Sequence, residues 1–205
     1  MAVRTRLTQV LQAQKLYGKS RGLLRDLVEN QEDNLGQDHI AAWNARSNLA
    51  VNLFRQGRFD EASSELQTVL ERQLEVTADT DAVVLKTKNN LANIKMAMQK
   101  YDEAWKLHKE VLEARKALFG SRHPDAICSM FNMACVGSKA GWAKEGLRML
   151  QEAANYGFHD EESVKMDPDF LFLRKTQGKE VRSILKQIQR NRKNANDPFK
   201  GLASF

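Results

Sequence analysis

The sequence predicts an all-α fold: a right-handed superhelical solenoid of about four stacked antiparallel helix pairs, closed by C-terminal capping helices. Three observations predict it. One phrase returns at a fixed interval, as NLAVNLFRQGRFDEA over 48–62, NLANIKMAMQKYDEA over 90–104 and, more loosely, NMACVGSKAGWAKEG over 132–146. Within each copy apolar residues recur at spacings of three and four, the stripe of an amphipathic helix, and no stretch shows the alternation of a strand. Only three prolines and eleven glycines interrupt 205 residues dominated by good helix formers.

On a period of 42 the aligned columns are Asn48, Asn90 and Asn132; Leu49, Leu91 and Met133; Ala50, Ala92 and Ala134; Phe59, Tyr101 and Ala143; and Ala62, Ala104 and Gly146. His39, Asp81 and His123 share a further column ahead of each copy. Extended backwards, the register sets Leu7 under Leu49, Leu11 under Leu53, Tyr17 under Phe59 and Leu24 under Leu66, so a degenerate copy occupies the N-terminus. The units are thus 1–34, 38–76, 80–118 and 123–157.

Each unit reads as two helices. In the second, Ala42, Ala45, Leu49 and Leu53 form one stripe and Phe59, Ala62, Leu66, Val69 and Leu70 another, with RQGRF as the turn between them. Ala50 and Ala62 suit a close crossing, because helices joined by a short turn approach only where side chains are small. In the fourth unit Pro124 fits a first helical turn, with capping candidates at Ser121 to His123. A single pair cannot bury its apolar face, so the pairs must stack.

Asn-Leu-Ala, the turn Gln-Gly-Arg-Phe and Asp-Glu-Ala together resemble the tetratricopeptide repeat, and the 42-residue period with Leu-Gly-x-x-His before a pair is similar to the longer variety found in kinesin light chains. The resemblance covers roughly residues 3–157. The residues beyond the ordinary 34 would lengthen each helix by about a turn. The first unit departs from the pattern with Arg6, Leu7 and Thr8, and the fourth with Ala143 for the aromatic and Gly146 for Ala. After the repeats, 158–190 resembles the segment that closes many such arrays, with Phe158, Phe170, Phe172, Leu173, Val181, Ile184 and Leu185 supplying the apolar cap. A basic tail, 191–205, follows.

No apolar run reaches the roughly 18 to 20 residues that cross a bilayer. Cys128 and Cys135 make no disulfide framework and no zinc signature, which points to a reducing, intracellular compartment, cytoplasmic or an organelle matrix. An acid-free, arginine-rich N-terminus carries a rival reading as a mitochondrial presequence.

Nothing catalytic is expected, and neither a metal nor a cofactor, because no phosphate loop, nucleophile elbow or cluster of His and carboxylates at ligand spacing is found. His108 shares a column with Leu66 and Leu150 and is read as a core residue; His39 and His123 are read as helix-start residues. The recurring pairs Asp60 with Glu61 and Asp102 with Glu103 sit where a helix dipole favours carboxylates.

The expected function is non-enzymatic protein–protein interaction. The resemblance to tetratricopeptide repeats implies a groove lined by the first helix of each pair, at Asn44, Ser47, Val51 and Arg55, then Lys86, Asn89, Asn93 and Met96, then Cys128, Phe131, Cys135 and Lys139. Asparagine amides there would bracket a peptide backbone, and Arg55, Lys86 and Lys139 would favour an acidic peptide. The cysteines have the alternative reading of small apolar fillers.

Charge is uneven: six basic and no acidic residues over 1–25, nine basic against two acidic over 174–200, and an acidic body between. A tail contact is expected at Arg190, Arg192, Lys193, Phe199 and Lys200, with a solubilising end as its alternative. Three roles compete: an accessory or scaffold subunit of a larger assembly, a free peptide- or cargo-binding adaptor of kinesin light chain type, and a ribonucleoprotein component touching nucleic acid through its basic ends. The last lacks aromatic residues interleaved with the charges.

Overall fold

The computed structural model describes residues 16–194, and among these the regular structure is helical, with no strand. The chain divides into two compact units, one ending at Met98 and one beginning at Gln99. The first contains α1 (Tyr17–Leu35), α2 (Ile40–Arg55), α3 (Phe59–Val76) and α4 (Ala82–Ala97). The second contains α5 (Tyr101–Phe119), α6 (Pro124–Lys139), α7 (Ala143–Tyr156), the short α8 (Glu161–Met166), a 3-10 turn (Pro168–Phe170), α9 (Leu171–Thr176) and α10 (Gly178–Asn194). The helix that would precede α1, with Leu7 and Leu11, lies outside the described residues.

The repeat column His39, Asp81 and His123 starts three helices in the same way. His39 Nδ1 accepts from the Ala41 N–H at 3.1 Å, the Asp81 carboxylate from Val83 at 2.9 Å, and His123 Nδ1 from Asp125 at 3.2 Å. Each satisfies one of the amides that a helix start leaves without an intrahelical acceptor. Either imidazole accepts there only in the tautomer whose proton sits on Nε2.

The turn inside a repeat is equally regular. Arg58 N–H reaches back to the Leu53 carbonyl at 3.0 Å, and Trp142 N–H to the Gly137 carbonyl at 2.8 Å, a wrap that puts the residue before the donor in the left-handed region. Gly57 (φ 75°) and Gly141 (φ 78°) hold that position, and Gln99 holds it in the middle copy at φ 61° despite its side chain.

In the first unit α1 packs on α2, α2 on α3 and α3 on α4. The columns of small residues lie at the contacts: Ala50, Ala62 and Ala92 are fully buried beside Leu53, Leu66, Val69 and Val84. Polar ties run across the same helices. Arg46 on α2 holds Glu32 of α1 and, at 2.8 Å, Glu65 of α3. Buried Asn52 donates to Ser20 of α1 at 2.9 Å. Lys88 reaches Asp79 at 2.7 Å.

In the second unit α6 packs on both α5 and α7, and the C-terminal segment covers the exposed sides of that pair. α6 and α7 cross at two glycines. An ideal Cβ on Gly137 would lie 2.7 Å from both the Cα and the N of Gly146, so their backbones are in contact. Leu173 fills the space beside Gly146, its Cδ1 3.1 Å from where a Cβ there would stand. Departure of the fourth repeat from Ala at this column therefore seats the cap. Phe170, Leu173, Val181, Ile184 and Ile188 are buried, each contributing roughly 1.5–3 kcal/mol of apolar burial. Phe172, read from the sequence as a cap residue, points outward at 37% exposure, because α9 turns Leu173 inward and its neighbours on either side cannot share that face.

Two polar contacts finish the cap. Arg174 donates to the carbonyls of Val164 and Asp167 at 2.9 and 2.7 Å, closing the loop around the 3-10 turn. Asn191 on α10 donates to the carbonyls of Ala154 and Phe158 at 2.7 and 2.9 Å, tying α10 to the end of α7, where Ala154 also accepts from the Gly157 N–H at 3.2 Å. α10 continues past residue 190 to Asn194.

Candidate functional site

Eight of the twelve groove positions belong to the first unit. On α2, Asn44 and Arg55 are exposed and Ser47 and Val51 half-buried; on α4, Lys86 is exposed and Asn89, Asn93 and Met96 are half-buried. Their spacings of three and four keep each set along one stripe, on the side away from buried Ala45, Leu49 and Leu53 in α2 and Val84, Leu91 and Ile94 in α4. The two stripes present amides, a hydroxyl, a cation each and an apolar side chain each, the mixture that binds main chain and tolerates varied side chains.

The four positions on α6 differ. Phe131 stacks on Phe158 with centroids 4.7 Å apart and tilts against Phe170 at 5.2 Å. Cys135 is buried, at 5% exposure. Lys139 Nζ stands 2.8 Å from the Asp169 carboxylate. Only Cys128 is left half-buried with no such partner from the cap. Cys135 is therefore buried rather than open to a ligand, a correction to the sequence reading, while half-buried Phe131 and exposed Lys139 are engaged by the cap. The physical reason is that the capping segment folds back over this stripe of α6 in addition to closing the end, and its Phe158, Phe170 and Asp169 meet the apolar and charged positions that a ligand would have met.

Neither cysteine is activated. Burial raises the Cys128 thiol, with Asp125 acting the same way and Arg115 opposing; burial raises Cys135 well above the ordinary thiol range, reinforced by Asp169 and Asp167. Both stay protonated at neutral pH and are poor nucleophiles. The Cys135 sulfur and the Asp167 and Asp169 carboxylates lie within 4.8 Å of one another, a geometry with three metal-ligating atoms. Each already has a structural role. Asp167 caps the 3-10 turn through the Asp169 N–H at 2.8 Å, Asp169 holds Lys139, and the thiol is packed beneath them. A cation there would have to displace the ammonium of Lys139.

His108 is fully buried on α5, with neither ring nitrogen hydrogen-bonded. Burial, with a smaller push from Arg115, lowers its pKa from 6.5 to about 4, so the ring is neutral at physiological pH. It occupies the column of Leu66 and Leu150 and behaves as they do.

Of the tail residues, Arg190, Arg192 and Lys193 lie on α10 and are exposed. Phe199 and Lys200 lie outside the described residues. A break placed at residue 190 in the sequence divides what the structure makes one helix; the period of three and four running from Val181 through Ile184 and Ile188 to Asn191 is the signal that would have joined it. No helix among the described residues is long and apolar enough to cross a membrane.

Known proteins share this arrangement. The family model described as tetratricopeptide repeat matches residues 83–156, and a second model of the same description matches residues 44–77. A protein of Arabidopsis thaliana, chloroplastic by its name, is 31% identical over 102 residues, which is 48% of this chain and 30% of that protein. The match thus spans under a third of the relative's length. Among solved structures, a putative kinesin light chain from Podosopora anserina with nearly identical TPR-like repeats superposes with a TM-score of 0.74 at 19% identity, over 94% of this chain and 95% of that one. BtubC (BKLC) from P. vanneervenii gives 0.76 at 20% identity, over 93% and 79%. At such identities the likeness is one of fold.

Proposed function

Because the chain belongs to the tetratricopeptide repeat proteins, a family built to bind other proteins, we propose that it is a non-enzymatic interaction module serving as an accessory or scaffold subunit of a larger protein assembly. The observation that supports this reading is the pair of polar stripes on α2 and α4, Asn44, Ser47, Val51 and Arg55 with Lys86, Asn89, Asn93 and Met96, which are exposed or half-buried, whereas on α6 Phe131, Cys135 and Lys139 are engaged by the capping segment. A partner segment bound along α2 and α4 would meet amides able to pair with its backbone and cations at Arg55 and Lys86 that favour acidic side chains. The chloroplastic relative makes the plastid one compartment in which to look for the assembly.

A second reading is a free adaptor that captures a peptide, favoured by the fold likeness to kinesin light chain repeat structures. Isolation of the protein from its source under native conditions separates the two. An accessory subunit runs in a complex far larger than its own 23.3 kDa; an adaptor runs alone until a peptide is added. Arg55→Ala with Lys86→Ala, both exposed, should change stability by no more than about 0.5 kcal/mol while releasing the partner. Undiminished partner binding by that variant would remove these stripes from the contact.

A further inference from the structure

The outer face of α10 carries a row of positive charge that the fold does not use. Lys179, Arg182, Lys186, Arg190 and Lys193 are all exposed, and their spacings of three, four, four and three place them within about 80° of arc on one side of the helix. The row is about 21 Å long at a rise of 1.5 Å per residue. Directly opposite, Val181, Ile184 and Ile188 are buried against the rest of the second unit. Among the described residues none of the five is in an ion pair or a hydrogen bond. Five like charges this close repel one another, and nothing in the packing of α10 calls for them.

We propose that this row is a docking surface for an acidic α-helical segment of a partner protein. The proposal rests on the reading of the chain as an interaction module and specifies one of its contacts. Three features select a narrow acidic helix over a broader polyanion. First, the row is bordered by carboxylates on the α8 side, where exposed Glu162 stands beside Glu161, itself hydrogen-bonded to Gln189 and paired with Lys165; on the other side Glu180 and Ser183 share a shallow groove with exposed Lys144 and Arg148 of α7. A nucleic-acid duplex or a flat anionic bilayer would set phosphates against the α8 carboxylates, whereas a single helix lying along the row and the groove beside it meets the cations and stays clear of α8. Second, the helix has no aromatic residue, so it offers nothing to stack on a base or to insert at a lipid interface. Third, a repeat of three and four residues is the spacing at which Glu or Asp recurs on one face of a facing helix, so two such helices lying side by side bring each carboxylate to a cation in register.

Ser183 is exposed and lies at the edge of the row, between Lys179 one turn before it and Lys186 one turn after. A negative charge at that residue would neutralise the middle of the row from within, which gives a test that leaves every cation in place.

The test uses the full-length protein and a labelled 21-residue peptide with Glu along one face, spaced three and four apart, and Ala and Gln elsewhere. A scrambled peptide of the same composition, a 20-base-pair DNA duplex and vesicles containing phosphatidylserine complete the set of probes. At moderate salt the patterned peptide should bind at least several-fold more tightly than the scrambled one. Lys179→Glu with Lys186→Glu and Arg190→Glu should weaken it tenfold or more, and Ser183→Glu several-fold. A matched reversal of exposed Lys106, Lys109 and Arg122 changes the net charge equally and should leave binding within twofold. The proposal is overturned if the matched reversal is as damaging as the row reversal, if the scrambled peptide binds equally well, or if DNA or vesicles bind more tightly than the peptide. Should the triple variant fail to fold by circular dichroism, Ser183→Glu carries the decision, and unchanged peptide binding by it refutes the row. Because the α2 and α4 stripes are untouched in these variants, retention of the native partner alongside loss of peptide binding, or the reverse, tells the two contacts apart.

Discussion

A methyl group added at Gly137 tests the packing of the second unit most directly. The new Cβ would lie 2.7 Å from both Cα and N of Gly146 and 3.4 Å from the Trp142 carbonyl oxygen. Non-bonded carbon atoms rest about 3.5–4.0 Å apart, so α6 and α7 would have to separate by about 1 Å at their crossing. The atoms met are backbone, and no rotamer change relieves them. Helix propensity favours Ala over Gly by about 1 kcal/mol, whereas overpacking of this kind costs typically 1–3 kcal/mol and loosens the seat of Leu173 beside Gly146 as well. The net expectation for Gly137→Ala is a loss of up to about 2 kcal/mol. Gly22→Ala on α1 is the control: the position is exposed, with nothing within 4 Å of its Cβ, and the same chemical change should there stabilise by about 0.5–1 kcal/mol. Urea titrations followed by far-ultraviolet circular dichroism give the overall transition, and tryptophan fluorescence separates the units when Trp43, or Trp105 with Trp142, is replaced by Phe in the background. Gly137→Ala stabilised over the parent as much as Gly22→Ala would refute the close crossing.

Other outcomes follow from single side chains. His108 binds a proton below about pH 6.5 when unfolded but only near pH 4 when folded, so stability should be level above pH 7 and fall between pH 6.5 and 4, by up to about 3 kcal/mol. His108→Leu, which restores the residue of the sister repeats, should be more stable at every pH and lose that part of the slope; parallel stability curves for the two proteins would contradict the buried neutral ring. Gln99→Gly should stabilise by about 0.5 kcal/mol, because it removes a left-handed penalty of about 1–2 kcal/mol at the cost of about 0.5–1 kcal/mol of chain entropy, and a loss measured by thermal melting would count against it.

Periodicity made the repeats legible. A column is visible in the sequence when the same physical demand returns every 42 residues, as with the buried Ala50, Ala92 and Ala134 or the helix starts at His39, Asp81 and His123. The cap obeys no such repetition. Phe158 and Phe170 could be recognised as cap residues, yet nothing in their spacing shows that they and Asp169 turn back onto Phe131 and Lys139 of α6, since that contact depends on the path of a loop. The burial of Cys135 on α6 is not legible for that reason, because equal register does not mean equal exposure. Gly146 contained a usable hint: a glycine replacing the alanine of its column marks a place where something approaches more closely, and Leu173 is what approaches.

The two hydrogen bonds from Asn191 also bear on where along its axis α10 comes to rest. A stripe of Val181, Ile184 and Ile188 is nearly blind to a slide of one helical turn, because each aliphatic side chain would exchange its seat for a neighbour's of similar shape. An amide is not interchangeable with isoleucine. With its nitrogen fixed on the carbonyls of Ala154 and Phe158, the helix has one longitudinal setting, and a displacement of about 5.4 Å would break both of those hydrogen bonds. Asn191 therefore acts as a vernier mark: it sets the height of every cation on the far side of the same helix, so that a residue facing inward determines the alignment of the charges facing out.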